Sequence, residues 1–143
     1  MGSDIVPRFC IEKGESEMIQ SSAFVFERLK NIAEELLRST DKNHIYTQAI
    51  VLLTETGNEY GAVIENPLTA DKKEEKYLIS QMADAMDTAV SYILCLWKDG
   101  DVDLPSYDFR EMIESLDPKN ADTSVFVLKD SGYSAVRLEN TMK

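Results

Sequence analysis

The spacing of apolar residues along the chain predicts alternating helices and strands. Over residues 18–39, apolar side chains recur every three or four positions, as on one face of a helix. Segments 45–54 and 59–65 are rich in β-branched residues, and the turn between them contains Gly57 and Asn58. The first half of the chain is therefore predicted to be a helix followed by a β-hairpin.

A second helix is predicted after the hairpin. It would begin at Asp71. The Asp71 side chain can accept a hydrogen bond from a free backbone N–H of the first turn, and the Glu74 carboxylate can accept one from the Asp71 N–H. Its side chains separate into an apolar stripe and a polar side. The predicted buried stripe is Leu78, Ile79, Met82, Ala85, Met86 and Ala89, and the predicted water-facing residues are Lys76, Gln81, Asp84 and Asp87.

The segment 90–97 is a continuous apolar run that would either extend this helix or form a strand. Its β-branched and aromatic content favours a strand buried on both faces. A helix over 105–116 and strands over 124–128 and 133–138 follow. The order α-β-β-α-β-α-β-β predicts an α/β fold, a three-layer α/β/α sandwich with a mixed sheet.

The length of 143 residues suits one ordinary domain. Residues 1–17 show no hydrophobic period and are predicted to be a poorly ordered N-terminal arm. Residues 18–143 are predicted to form a single domain. Cys10 and Cys95 lie in unlike settings and are predicted to be free thiols.

The net charge of the chain limits which classes of partner are expected to bind it. A formal net charge of −11 would repel nucleic acid and anionic membranes, so neither is an expected partner. The charge-free apolar stretches 45–54 and 88–97 have about half the length of a membrane-spanning helix. The first residues carry no secretory pattern, and a cytoplasmic location is expected.

Several local strings occur in an order typical of one enzyme family. Residues 61–66 are similar to a strand that ends in Asn-Val-Glu-Asn, and 105–111 lie where that family has a PCxxCR motif. Residues 112–117 and 125–132 are similar to its next two segments. Over residues 18–140 the chain resembles the small cytidine deaminases and the related blasticidin deaminases. This resemblance implies a cytidine deaminase-like fold.

The resemblance also implies where a metal site would lie. These deaminases hold zinc with three Cys or His ligands at two helix N-termini, and a nearby carboxylate moves protons. In this chain Glu74, Ser106 and Phe109 stand at or near the ligand positions, Glu75 falls within a residue of the proton-shuttling Glu, and Arg110 matches an Arg beside a thiolate. We therefore expect a degenerate zinc pocket with no metal, no other cofactor and no catalytic residue.

The matched residues also have structural explanations. Glu74 and Glu75 either line a cavity that takes a hard cation or simply complement the helix dipole. Arg110 is expected to form an ion pair with Asp108, Glu111 or Glu114.

Two residues match the family's nucleoside contacts. Glu65 matches a ribose-binding Glu, although Val63 replaces the Asn that would assist it. Glu65 and Asn66 are thus candidate nucleoside-binding residues. The alternative, which we favour, is that they only end a strand, with Asn66 bonding local backbone.

The leading hypothesis is a non-catalytic cytidine deaminase-like protein with a binding or assembly role. The alternative is a hydrolytic nucleoside deaminase with unconventional metal ligands such as Glu74, Glu75 or Asp108. A third hypothesis is an acidic protein that uses its charge to bind a basic target. The resemblance further implies a homo-oligomer, either a dimer or a tetramer, and a nucleoside ligand.

Overall fold

The chain folds into a five-stranded sheet with three α-helices, in a computed structural model that describes residues 15–41, 44–68, 72–129 and 132–142. Short 3-10 helices follow the third α-helix and the last strand. The predicted order is confirmed, including the strand at 90–97. The elements are α1 (Glu15–Ser39), β1 (Gln48–Thr54), β2 (Glu59–Ile64), α2 (Lys73–Asp84), β3 (Val90–Trp97), α3 (Tyr107–Leu116), β4 (Ser124–Lys129) and β5 (Gly132–Arg137).

The sheet is mixed, with the strand order β2-β1-β3-β4-β5. Strand β1 pairs antiparallel with both β2 and β3, and β4 pairs antiparallel with β5. Strand β3 is parallel to β4, and the chain between them crosses over through α3. Each of the inner strands β1, β3 and β4 is therefore paired with a neighbouring strand along both of its edges.

Helices cover both faces of this sheet, which confirms the predicted three-layer α/β/α sandwich. Helix α1 packs on one face, and α2 with α3 pack on the other. Side chains alternate between the two faces along each central strand. On the α1 face lie Phe26, Leu29, Ala33, Ala49, Val51, Leu94, Leu96 and Phe126; on the other lie Ile50, Leu52, Leu78, Met82, Ile93, Cys95, Phe109 and Ile113.

This two-sided burial explains the apolar run of β3. Leu94 and Leu96 face α1, while Ile93 and Cys95 face α2 and α3, and all four are buried. A half-exposed strand would alternate apolar and polar residues, but a strand buried on both faces needs apolar residues throughout. Burial also raises the pKa of the Cys95 thiol, which keeps it neutral. Cys10 lies outside the described residues.

Some predicted bounds differ from the structure. Helix α1 begins at Glu15, three residues before the predicted start, and residues 1–14 of the predicted arm lie outside the described residues. Strand β1 begins at Gln48 rather than at Ile45, because the Thr47 N–H closes a turn onto the His44 carbonyl at 2.9 Å. The turn leaves Ile45 exposed.

The start of α2 also departs from the prediction. The predicted cap, Asp71, lies outside the described residues. The residue before the helix is Lys72, which has a positive φ of 49° and makes no side-chain cap. The acidic first turn of Glu74 and Glu75 instead complements the positive end of the helix dipole.

The end of α2 corrects the predicted buried stripe. The Asp87 N–H donates to the Met82 carbonyl at 2.9 Å, and the Met86 N–H donates to the Ala83 carbonyl at 3.0 Å. This pair of bonds is a Schellman motif, which places Met86 in the left-handed region with a φ of 55°. Ala85 and Met86 were predicted to be buried, but the helix has ended before them and Met86 is 89% exposed.

Asp87 was predicted to face water, and that prediction was wrong. Its side chain is buried and joins the β1–β2 hairpin to the loop before β3. Four neutral donors bind its carboxylate: the hydroxyls of Thr54 at 3.0 Å, Thr56 at 2.8 Å and Tyr60 at 3.0 Å, and the Asn58 amide at 2.8 Å. Burial raises the pKa of Asp87, but these four bonds outweigh burial and hold the pKa below its ordinary value of 3.8.

We expect Asp87→Ala to destabilise the chain by about 2–3 kcal/mol, because the buried Thr54 hydroxyl and three partly buried hydrogen bonds lose their acceptor. Since the pKa of Asp87 is lowered by folding, its contribution is complete above the ordinary pKa and is lost as the pH falls through the folded value. Urea denaturation at pH 7 and at decreasing pH measures both effects. The exposed Asp84→Asn serves as the control, and equal stability of the two variants would contradict this role.

Candidate functional site

Helices α2 and α3 begin at the same end of the sheet. Gln48, the first residue of β1, pairs with Ile64 at the end of β2 and with Trp97 at the end of β3. The chain leaves β2 toward α2 and leaves β3 toward α3, so both connections start at this end. The N-terminal turns of the two helices consequently meet beside the start of β1.

Ser106 joins the two helix N-termini. It is the N-cap of α3, where its Oγ accepts a hydrogen bond from the Phe109 N–H at 3.2 Å. The same hydroxyl donates to Oε2 of Glu75, in the first turn of α2, at 3.1 Å. Ser106 thus both starts α3 and binds the acidic side chain of α2.

Glu75 is a wholly buried carboxyl group, with 0% of its surface exposed. Its second oxygen, Oε1, has no hydrogen-bond partner among the described residues. Burial raises the pKa of Glu75, although the Ser106 hydroxyl and the charge of Lys72 act in the opposite direction. The carboxyl group is therefore easier to protonate than an exposed Glu.

Phe109 fills the space between α3 and the sheet. It is wholly buried and belongs to the same apolar cluster as Leu78, Cys95 and Ile113. A phenyl ring offers no metal ligand and excludes water from the volume it occupies. Phe109 is thus part of the hydrophobic core.

Arg110 holds the C-terminal segment against α3. Its Nε donates to the Pro105 carbonyl at 3.0 Å, and its Nη1 donates to the Thr141 carbonyl at 2.7 Å. The guanidinium carbon lies 5.6 Å from the centroid of the Tyr107 ring. The predicted ion pair with a neighbouring carboxylate is replaced by these backbone contacts.

The candidate nucleoside contacts make local bonds. Asn66 Oδ1 accepts from the Leu68 N–H at 3.0 Å, which is the backbone-capping role expected of an Asn after a strand. The Glu65 carbonyl accepts from the Thr47 hydroxyl at 3.3 Å, and the residue is exposed. A nucleoside-binding role for either residue stays a prediction.

Solved structures of one enzyme class share this architecture. A cytidine deaminase from Mycobacterium leprae matches with a TM-score of 0.58 and 12% identity, over 82% of this chain and 96% of that one. One from Mycobacterium tuberculosis matches at 0.58 and 12%, over 81% and 92%, and one from Burkholderia pseudomallei at 0.57 and 11%, over 80% and 93%. The fold is that of the cytidine deaminases. No protein-family model matches the sequence, and no curated protein does.

The cytidine deaminase fold raises the question of zinc, and the side chains at the helix N-termini do not suit it. Zinc sites of this kind need Cys or His ligands, but the positions predicted for two of them hold Ser106 and Phe109. The one His, His44, lies in the turn before β1, and Cys95 is a neutral core thiol. Among the described residues, no group of three His, Cys, Asp or Glu side chains is placed to hold a metal ion.

One polar residue at this end of the fold, Gln48, has no role among those predicted from the sequence. Gln48 is wholly buried, and neither its Nε2 nor its Oε1 has a partner among the described residues. The signal was present, because Gln48 is an amide-bearing residue inside the apolar segment 45–54.

None of the helices in the described part of the chain is long and apolar enough to span a bilayer.

Phe109→Ala should cost about 3–5 kcal/mol of stability, because it removes a buried ring and leaves a cavity. Phe109→Leu preserves most of the apolar volume and should cost less than half as much. Chemical denaturation of both variants measures the difference. An unchanged midpoint for Phe109→Ala would show that the ring does not stabilise the core.

Proposed function

We propose that this chain is a non-catalytic protein of the cytidine deaminase fold with a binding or assembly role. Residues 18–143 act as one domain in the cytoplasm, and the zinc pocket of the deaminases is degenerate. The observation that carries this proposal is the wholly buried Phe109 at a ligand position of the motif, beside a Ser106 hydroxyl bonded to Glu75.

The loss of ligands removes the basis of deaminase chemistry. Hydrolytic deamination depends on a water molecule that zinc makes nucleophilic, and on a carboxylate that takes and returns its proton. Glu75 is predicted to fall within a residue of that carboxylate, but the described residues contain no group of three His, Cys, Asp or Glu side chains that could hold the metal. Under this proposal Glu75 is a buried polar group of the fold rather than a proton shuttle.

Exposed apolar side chains around the same end of the sheet support an assembly role. Ile45 precedes β1, Leu68 follows β2 and Tyr107 begins α3, with 75%, 74% and 50% of their surfaces exposed. Apolar side chains grouped around a site are typical of a surface that binds another protein. We propose that this rim contributes to a homo-oligomer, a dimer or a tetramer.

Sedimentation velocity tests the proposed oligomer. The purified chain is expected to sediment as a dimer or larger, and the double variant Ile45→Ser, Leu68→Ser should shift it toward the monomer. Met86→Ser removes an even more exposed apolar residue at the opposite end of the sheet and should leave the assembly unchanged. A wild-type chain that stays monomeric at high concentration would contradict the proposal.

The enzyme alternative, a nucleoside deaminase with Glu74, Glu75 or Asp108 as ligands, has one supporting observation. Glu75 is a buried carboxyl group with an unpartnered oxygen, as a general acid or a metal ligand would be. Carboxylates alone favour magnesium or manganese over zinc, and these ions are weaker at generating hydroxide at neutral pH. This alternative is decided by experiment.

The deciding experiment is metal analysis joined to a deaminase assay. Protein purified without chelators or a His-tag from zinc-supplemented cells is expected to contain far less than one zinc per chain. It should release no ammonia from cytidine, deoxycytidine or blasticidin. A conventional cytidine deaminase purified in parallel should contain zinc and release ammonia. About one zinc per chain with ammonia release would overturn the non-catalytic proposal.

A further inference from the structure

The turn before β1 carries two exposed side chains. Ile45 and Tyr46 form its tip, with 75% and 41% of their surfaces exposed. The His44 N–H donates to the Thr47 hydroxyl at 3.0 Å, and the Thr47 N–H donates to the His44 carbonyl at 2.9 Å. These two hydrogen bonds close the turn, so the position of Ile45 in the apolar rim depends on how the tip between them is held.

The His44 imidazole holds the tip through a third hydrogen bond. Its Nδ1 accepts from the Tyr46 N–H at 3.1 Å, and the centroids of the two rings lie 5.4 Å apart. A ring nitrogen accepts a hydrogen bond only when it carries no proton, so this bond requires a neutral imidazole with its proton on Nε2. An Asn side chain binds the backbone N–H two residues on in the same way, through Oδ1. His44 thus supplies the acceptor of an Asx-type turn from a group that a proton can block.

Protonation of His44 removes this bond and spares the other two. Both nitrogens of an imidazolium are donors, so the Tyr46 N–H would face an N–H instead of a lone pair. Histidine is the side chain that ordinarily changes its charge between pH 5 and 8. His44 is partly exposed, and protons can therefore reach it from solvent. Mild acid is expected to rearrange the tip without opening the turn.

Other charged groups meet the same turn. A hydroxyl of the turn donates to the Glu65 carbonyl after β2 at 3.3 Å, and a carbonyl of the turn accepts from the Lys98 N–H after β3 at 2.9 Å. Asp41 precedes the turn and is exposed. Glu75 lies at the same end of the fold, and burial raises its pKa, so it also gains a proton more readily than an exposed Glu. A decisive test must alter His44 and leave these four groups in place.

We propose that His44 is a pH-sensitive switch for assembly of this chain. The neutral imidazole holds Ile45 and Tyr46 in the arrangement that the oligomer uses, and protonation below about pH 6 weakens the oligomer. Two effects act in this direction. The tip loses a hydrogen bond, and an interface that covers Ile45 must also desolvate the charged ring beside it. This inference rests on the proposed homo-oligomer and names its regulation.

The first measurement is nitrogen-15 NMR of the full chain between about pH 8 and pH 5, the range in which histidine ordinarily titrates. The ring nitrogens of His44 are expected to show the Nε2–H tautomer at the upper end. The Tyr46 amide proton should move upfield as the ring is protonated, because its hydrogen bond is lost. In His44→Asn an amide oxygen replaces Nδ1 as the acceptor, and the Tyr46 amide should stay constant.

The second measurement is the dissociation constant of the oligomer by sedimentation velocity at pH 7.5 and pH 5.5. For the wild-type chain it should rise by roughly tenfold in acid, about the contribution of one hydrogen bond. His44→Asn should change by about twofold or less, since its acceptor does not titrate. His44→Ala lacks the acceptor at any pH and should resemble the acid wild-type chain already at pH 7.5.

Three outcomes would overturn the switch. They are a Tyr46 amide that does not follow the titration of His44, a His44 ring with the Nδ1–H tautomer, and an equal effect of acid on wild type and His44→Asn. The last would assign the pH dependence to another group, such as Glu75. Failure of the proposed oligomer is a different result, a wild-type chain that is already monomeric at pH 7.5, and it would remove the effect on assembly while the Tyr46 amide still reports on the turn.

Discussion

Burial of the central strands on both faces is the constraint on which the rest of the structure depends. Strands β1 and β3 carry apolar side chains toward α1 and toward α2 with α3, so neither face can be left to water. Covering the second face requires that the chain return across the sheet after β2 and again after β3. Both returns begin at one end, and this is why the first turns of α2 and α3 meet beside Gln48.

The same geometry can hold a metal or a core, depending on the side chains at the two helix N-termini. In this chain Ser106 caps α3 and donates a hydrogen bond to the Glu75 carboxyl group of α2. The Phe109 ring, in the first turn of α3, is wholly buried. Burial of that ring contributes roughly 1.5–3 kcal/mol, which a hydrated polar site would not supply. A buried ring at this position therefore favours the stability of the core over a hydrated site between the two helix N-termini.

The elements were predictable because their patterns are local. The run at 90–97 identifies a doubly buried strand, and Ser106 before α3 follows an ordinary capping preference. Asp87 could not be placed in this way, since its donors come from a hairpin about 30 residues earlier and no local pattern records them. Met86 was misplaced for a related reason, because a Schellman ending normally has Gly where this chain has Met.

The candidate site divides into two halves with opposite physical character. Phe109 is hydrophobic core, while Gln48 and Glu75 are polar side chains that burial penalises. Exchanging a buried unpaired polar group for an apolar one is nearly neutral or stabilising, so stability of the core does not explain polar side chains at these two positions. The absence of a metal-ligand set among the described residues and the presence of buried, unpartnered polar atoms are therefore separate features of this end of the fold.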